Sequence, residues 1–280
     1  QLFPGMEVHE HHAFRVTRNA DLSDALDEAD DLLSAVEYEL RRRRFGRATR
    51  LEVDASMSPE VLDLLMREFD LDASAIYVAT TPLDPTSLNE IADIERPALH
   101  WPEWKGVVDP RIQADDEPVD IFAEMRKGDI FVQHPYESFS RSVVEFIHQA
   151  AKDPGVLAIK ITLYRTASNS PIVDALIEAA ERGKQVAVLV ELKARFDEAA
   201  NIGWARRLEQ AGVHVAYGLL GLKIHTKTSM VVREESDGIR RYCHIGTGNY
   251  NHRTARIYED IGILTADPEV GADLADLFNH

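Results

Sequence analysis

Two short apolar runs constrain this chain more than anything else in it. Val156–Leu163 and Gln185–Leu192 are strand-length, and the segment between them reads as a helix. Ser170 and Pro171 suit the N-cap and first position of that helix, and Gly183 closes it. Strand–helix–strand units of this length imply a largely parallel or mixed sheet with helices packed on its faces. The alternation continues on both sides. Ile130–Gln133 reads as a strand, Arg141–Ala151 as a helix and Asp153-Pro154-Gly155 as a turn. Asn201–Gln210 sits in a helix ended by Gly212, and Val213–Tyr217, Lys223–Val232 and Tyr242–Ile245 extend the sheet. The expected fold class is α/β, a mixed sheet with helices on its faces.

The earlier part of the chain is more α+β in character. Ala13–Thr17, Arg50–Asp54 and Ala75–Thr80 are strand candidates, and Pro59–Phe69 is a helix with proline near its start. A long helix is expected from Leu22, capped by Asp21, with Leu26, Ala29, Leu33, Val36 and Leu40 on one stripe. Between the two parts, Arg96–Pro118 carries Pro97, Pro102, Pro110 and Pro118 without periodicity and reads as an extended connector. A domain boundary placed there divides the 280 residues into 1–110 and 111–280, each of ordinary domain size.

A formal net charge of −17 argues against a general nucleic-acid or anionic-membrane binder, so any polyanion must be held in a local basic cleft. One cysteine, Cys243, excludes an internal disulfide and suits a reducing cytoplasm. No apolar run approaches the roughly 20 residues of a membrane span. The chain opens at Gln1-Leu2-Phe3-Pro4-Gly5 and closes at Asp276–His280 in what reads as a helix in mid-course, so it is expected to be an internal segment.

The chemistry centres on Leu222-Lys223-Ile224-His225-Thr226-Lys227. On a strand, period-two alternation would put Lys223, His225 and Lys227 on one face, two ammonium groups beside an imidazole, ready to hold phosphate oxygens near a nucleophile. A His-x-Lys pair alone is more often a surface histidine on a strand. Some twenty residues on, however, comes Gly246-Thr247-Gly248-Asn249-Tyr250-Asn251, a turn that lets backbone approach a phosphate, with Asn249 offering an amide. The combination is similar to a half-site of the phospholipase D superfamily. That superfamily commonly has Asp five residues beyond the Lys, and Val232 stands there.

The departure is the one expected of polyphosphate kinases, which the chain resembles along essentially its whole length. Ile161–Thr166 with Ser170–Val173, Val190–Glu198, Leu222–Lys227 and Gly246–Tyr258 resemble that family's catalytic segments, in order. Asp129–Phe139, Phe14–Arg18 and Arg41–Arg44 extend the likeness back toward the start. The resemblance implies a middle domain at 1–110 and a phospholipase D-like first catalytic domain at 111–280, lacking its C-terminal part. It implies that His225 takes the terminal phosphate of ATP as phosphohistidine and passes it reversibly to inorganic polyphosphate. Arg165 and Arg195 match two arginines that the family associates with magnesium-bound phosphates. A guanidinium has no lone pair for a cation, so both are read as phosphate clamps, with Mg²⁺ held by the ATP phosphates. Tyr258 matches a nucleotide contact, and Lys227, Asn249 and Lys193 would line the same cleft. The resemblance further implies a cytoplasmic homo-oligomer and a second catalytic histidine outside this segment.

Other features have simpler readings. Arg41–Arg44, Arg47 and Arg50 suit the solvated end of a helix better than a polyphosphate path. His9, His11 and His12 suit a loop better than a metal site. Trp101 and Trp104 are expected to pack the connector, His134 to be a structural strand-end histidine, and Cys243 a buried small hydrophobe. Two competing functions stay open: a phospholipase D-like phosphodiesterase, and a non-catalytic polyanion-binding module.

Overall fold

The computed structural model describes residues 5, 7, 11–20, 32–42, 45–113, 119–167, 169–192, 194, 197–218 and 222–279. Its contacts group into two units, Gln1–Asp24 with Tyr38–Pro102, and Ala25–Glu37 with Glu103–His280.

The first unit carries a three-stranded sheet of β1 (Phe14–Arg18), β2 (Ala48–Asp54) and β3 (Ile76–Ala79) in that order. β1 and β2 are antiparallel, β2 and β3 parallel. β2 alternates: Leu51 and Val53 are fully buried between more exposed neighbours, the period of a half-buried strand. Helix α1 (Leu32–Arg42), whose residues up to Glu37 group with the second unit, is the described part of the long helix read from the sequence, residues 21–31 lying outside the described set. Helix α2 (Pro59–Phe69) begins on its proline and stops at Asp70, whose left-handed φ of 51° ends the helix. A short helix, α3 (Asn89–Ala92), follows. Of the basic run, Arg50 stacks on Tyr77 at 3.6 Å and hydrogen-bonds Glu52, while Arg43 and Arg44 lie outside the described residues.

The second unit holds a seven-stranded mixed sheet. Its strands are β4 (Ile130–His134), β5 (Val156–Leu163), β6 (Gln185–Val190), β7 (His214–Tyr217), β8 (Lys227–Glu235), β9 (Gly238–Gly246) and β10 (Asp260–Thr265), in the order β4-β10-β9-β8-β5-β6-β7. β5, β6 and β7 are mutually parallel, joined by α6 (Pro171–Glu181) and α7 (Glu198–Gln210), and every other pairing is antiparallel. Ser170 caps α6 by accepting from the Val173 N–H, as the Ser-Pro pair predicts.

Alternation sorts the remaining helices onto faces. Tyr242 on β9 meets Phe122 of α4 (Ile121–Lys127), which in turn meets Phe146 of α5 (Glu145–Lys152). The next residue, Cys243, points the other way, into a cluster with Met230 and Leu274 of α8 (Pro268–Asn279). Cys243 is fully buried, which pushes its thiol up to about 12, so it behaves as the small hydrophobe expected. α4 and β10 carry no strong sequence signal of their own, and the helix read at Arg141–Ala151 opens with a π-helical turn at Ser140–Val144 before α5.

Glu103 onward belongs to this second unit. Trp104 donates to the Pro135 carbonyl at 3.0 Å and stands edge-on to Tyr136, whereas Trp101 is 94% exposed and packs nothing in. Among the described residues no helix is long and apolar enough to cross a membrane, and no group of three His, Cys, Asp or Glu could hold a metal ion.

Candidate active site

The strand directions bring one end of every strand to the same edge of the sheet. β4 ends there at His134, β5 at Leu163, β6 at Val190, β7 at Tyr217 and β9 at Gly246, while β8 and β10 begin there at Lys227 and Asp260. Sequence motifs more than a hundred residues apart therefore meet on one rim.

His225 is exposed on this rim, but not on a strand. The strand expected at Lys223–Val232 starts only at Lys227, because the ladder partners of the preceding residues are taken by side chains. The Ile224 N–H donates to Glu191 Oε2 at 2.9 Å, and the Thr226 carbonyl accepts from Thr162 Oγ1 at 2.8 Å. Thr162 itself accepts from the Thr228 N–H at 3.1 Å. Lys223 and Lys227 consequently do not share a face as the alternation suggested. Lys223 is exposed, and Lys227 is buried, with its ammonium donating back to the His225 carbonyl. Burial holds the Lys227 ammonium below the ordinary lysine range, partly offset by the Asp260 carboxylate.

Tyr164, at the end of β5, gathers the group. Its ring stands edge-on to His225 with centroids 5.2 Å apart, the Lys227 Nζ lies 5.3 Å from the same centroid, and the Arg165 guanidinium 5.9 Å. Arg165 is ion-paired with Asp197 at the start of α7, both about a third exposed. Asn201, fully buried on α7, donates to the Tyr164 and Glu191 carbonyls at 2.7 and 2.9 Å and accepts from Trp204, lacing together the ends of β5 and β6. Tyr164, Glu191, Asp197 and Asn201 were not singled out from sequence. The signal available was position: Tyr164 precedes Arg165, Glu191 follows the apolar β6 run and Asp197 lies in the Val190–Glu198 segment, whereas Asn201 carries no such signal.

The glycine-rich turn after β9 meets this group through register: Lys227 pairs with Gly246. Thr247 donates to Asp260 at 2.9 Å, and a Cβ on Gly248 would sit 2.7 Å from the Asp260 carboxylate, so the turn and the carboxylate are in close contact. Asn249 lines a small cavity with His134, His244 and Asp260, and its carboxamide oxygen is buried without a hydrogen-bond partner among the described residues. Behind it lies a buried chain in which Tyr250 donates to Ser229 at 3.2 Å and His244 Nδ1 meets the Tyr250 oxygen at 2.7 Å. His134 is buried at the end of β4, with Nδ1 on the Glu137 carbonyl, the structural role expected of it.

The predicted site residues thus fall into three groups. Arg165, His225 and Lys227 converge, and Asn249 joins from the Asp260 side. Tyr258 is 60% exposed, just beyond the turn Thr254–Arg256. Lys193 and Arg195 lie outside the described residues.

The donor set is that of an anion site. Arg165 and Lys227 can donate to phosphate oxygens and cannot ligate a cation, and the carboxylates Asp197 and Asp260 are engaged with Arg165 and Thr247. These residues do not form a cage for Mg²⁺. They fit a magnesium ion that arrives on the phosphates it neutralises.

The description "Polyphosphate kinase middle domain" matches residues 1–91, and "Polyphosphate kinase C-terminal domain 1" matches residues 120–280. The polyphosphate kinase of Mycobacterium avium (strain 104) is 60% identical over 278 residues, covering 99% of this chain and 38% of that protein. That of Mycobacterium tuberculosis (strain ATCC 25618 / H37Rv) is 59% identical over the same length. The crystal structure of polyphosphate kinase from Porphyromonas gingivalis superposes with a TM-score of 0.70 at 30% identity, covering 99% of this chain and 39% of that one. The chain spans about two fifths of the length of these relatives. With the two domain descriptions matched in order and the likeness running through 99% of its residues, this chain belongs to the polyphosphate kinase family.

Proposed function

We propose that this chain is the part of an ATP–polyphosphate phosphotransferase that carries the phosphorylated histidine, His225. The observation that supports it best is the convergence of an exposed imidazole, a buried ammonium and a guanidinium on Tyr164 at one sheet end. In the forward direction an imidazole nitrogen of His225 attacks the γ-phosphorus of ATP and the bond to the bridging oxygen breaks. ADP leaves with that oxygen, and a phosphoramidate remains on the ring. A terminal oxygen of polyphosphate then attacks the phosphorus, the N–P bond breaks, and the ring is restored.

Phosphoryl transfer asks the protein to position the reactants and to stabilise charge on the equatorial oxygens. Arg165 suits that work, since Asp197 holds its guanidinium in a fixed direction while it remains partly exposed. Lys227 contributes a buried cation beside the histidine backbone, and Arg195, Lys193, Asn249 and Tyr258 are proposed as further contacts to phosphate and nucleotide. Mg²⁺ bound to ATP would neutralise the β- and γ-oxygens. A homo-oligomeric, cytoplasmic enzyme is part of the same reading.

A phosphodiesterase reading lacks support from β8. Val232, where the related superfamily carries its aspartate, packs against the apolar cluster under α8, five residues along the strand from Lys227. The deciding experiment labels the full-length protein with γ-labelled ATP and Mg²⁺ and maps the peptides. Acid-labile label on the His225 peptide, absent in His225→Ala and chased into polyphosphate, is expected. Diester cleavage lost in the same variant, with no labelled histidine, would replace the proposal with the phosphodiesterase.

A further inference from the structure

The segment that carries His225 is not held by a β-ladder, and the group that holds it most directly is a carboxylate. Glu191 stands just past β6 and is 3% exposed. Its own N–H donates to the Leu163 carbonyl at 3.0 Å, and its carbonyl accepts from Asn201, so its backbone is fixed on both sides. From that position Oε2 accepts the Ile224 N–H, one residue before His225. The Ile224 side chain, itself buried, is seated on Gly218 so closely that a Cβ there would lie 3.0 Å from Ile224 Cδ1 and 3.9 Å from Glu191 Oε2. The backbone beside the nucleophile is thus clamped between a charged acceptor on one side and a glycine floor on the other.

We propose that Glu191 is a positioning residue for phosphoryl transfer: its carboxylate fixes the backbone at Ile224 and so sets where the His225 ring meets phosphorus. The proposal rests on the reading of His225 as the phosphorylated residue. Attack requires the reacting atoms at about 3–3.5 Å with aligned orbitals, and a displacement of about 1 Å can cost roughly 10²-fold. Because Glu191 acts through the Ile224 backbone, its loss should slow the chemical step and leave ATP binding in place.

The test uses the full-length enzyme and measures the single-turnover rate of His225 labelling against ATP concentration, together with the melting temperature. Glu191→Ala is expected to label about 10²-fold more slowly, with half-saturation by ATP within about twofold of wild type. Glu191→Gln, which keeps an acceptor oxygen at the same reach, is expected to recover most of that rate. Labelling of Glu191→Ala at the wild-type rate overturns the proposal. So does a loss that merely follows the unfolded fraction and is no smaller in Glu191→Gln. If Glu191→Ala does not fold, Gly218→Ala supplies the same readout by pressing on Ile224 with the carboxylate retained, and unimpaired labelling in that variant overturns the proposal. Absence of label from His225 in the wild type is a separate result: it removes the phosphohistidine reading first and this positioning role with it.

Discussion

The ring of Tyr164 stands edge-on to that of His225, at an interplanar angle of 78° and a centroid separation of 5.2 Å. This contact restrains an exposed imidazole that would otherwise be free to sample its rotamers. Edge-to-face pairs contribute about 0.5–1.5 kcal/mol beyond area burial. Tyr164→Phe is therefore expected to phosphorylate His225 at near the wild-type rate, and Tyr164→Ala about tenfold more slowly. The measurement is label incorporation at saturating ATP. Equal rates in the two variants would mean that the ring does not orient the histidine.

Arg165 and Asp197 separate two energies that one ion pair can confuse. The pair is about a third exposed on each side, and such pairs contribute about 0.2–1 kcal/mol, so Asp197→Asn should change the transfer rate by at most about fivefold. Arg165 itself should matter far more if it clamps phosphate oxygens. Arg165→Lys keeps the charge and loses the planar fork, and a fall of about 10²-fold is expected. Steady-state kinetics of both variants in the full-length protein decides between them. A larger loss in Asp197→Asn than in Arg165→Lys would assign the chemistry to the wrong partner.

Gly248 tests the close approach between the glycine-rich turn and Asp260. Its added Cβ would fall 2.7 Å from the Asp260 carboxylate and 2.9 Å from Asp260 Cβ, too near for the side chain alone to yield. Gly248→Ala should cost about 1–3 kcal/mol of stability and displace the carboxylate that offsets burial of Lys227. Urea denaturation reads the first effect. An alanine variant as stable as wild type would show that the turn can move aside.

Acid should loosen the core beneath the turn before it reaches the carboxylates. Burial, with a smaller contribution from His134, pushes His244 from 6.5 down to about 3. The unfolded chain thus binds a proton that the folded chain refuses. The stability from this neutral imidazole is complete above pH 6.5 and drains away as the pH falls toward 3, at about 1.4 kcal/mol per unit. His244→Phe, less stable overall because Tyr250 loses one of its two polar partners, should show a shallower decline across that window. Denaturation midpoints from pH 7 to pH 4 check it, and parallel slopes in variant and wild type would place the titration elsewhere.

Much of this arrangement is legible in the sequence because local rules happen to agree with the fold. The helix opened by Ser170-Pro171, the strands at 156 and 185 and the proline start of α2 all follow from caps and periodicity. The site residues Arg165, His225 and Lys227 are visible through their motifs. What sequence does not reveal is the break in the β8 ladder. Period-two patterning assumes that backbone groups pair with backbone, and here Glu191 and Thr162 intercept them. Likewise Tyr164 and Asn201 look unremarkable in the chain, since their roles depend on which strand ends lie beside one another. β10 escapes notice because Gly262 interrupts its apolar pattern.

The convergence of strand ends on one rim also leaves the other rim without any described residue proposed for the site. There lie the turns at Asp153–Gly155, at Gly183, at Gly212 and between β8 and β9 at Ser236-Asp237. β8 runs nine residues from Lys227, so that hairpin tip stands about 30 Å from the histidine segment. A fluorophore or affinity handle at Asp237 would sit at a usable distance for energy transfer to a labelled nucleotide, remote from the histidine segment. The fold thereby offers a ready place from which to watch the reaction in real time.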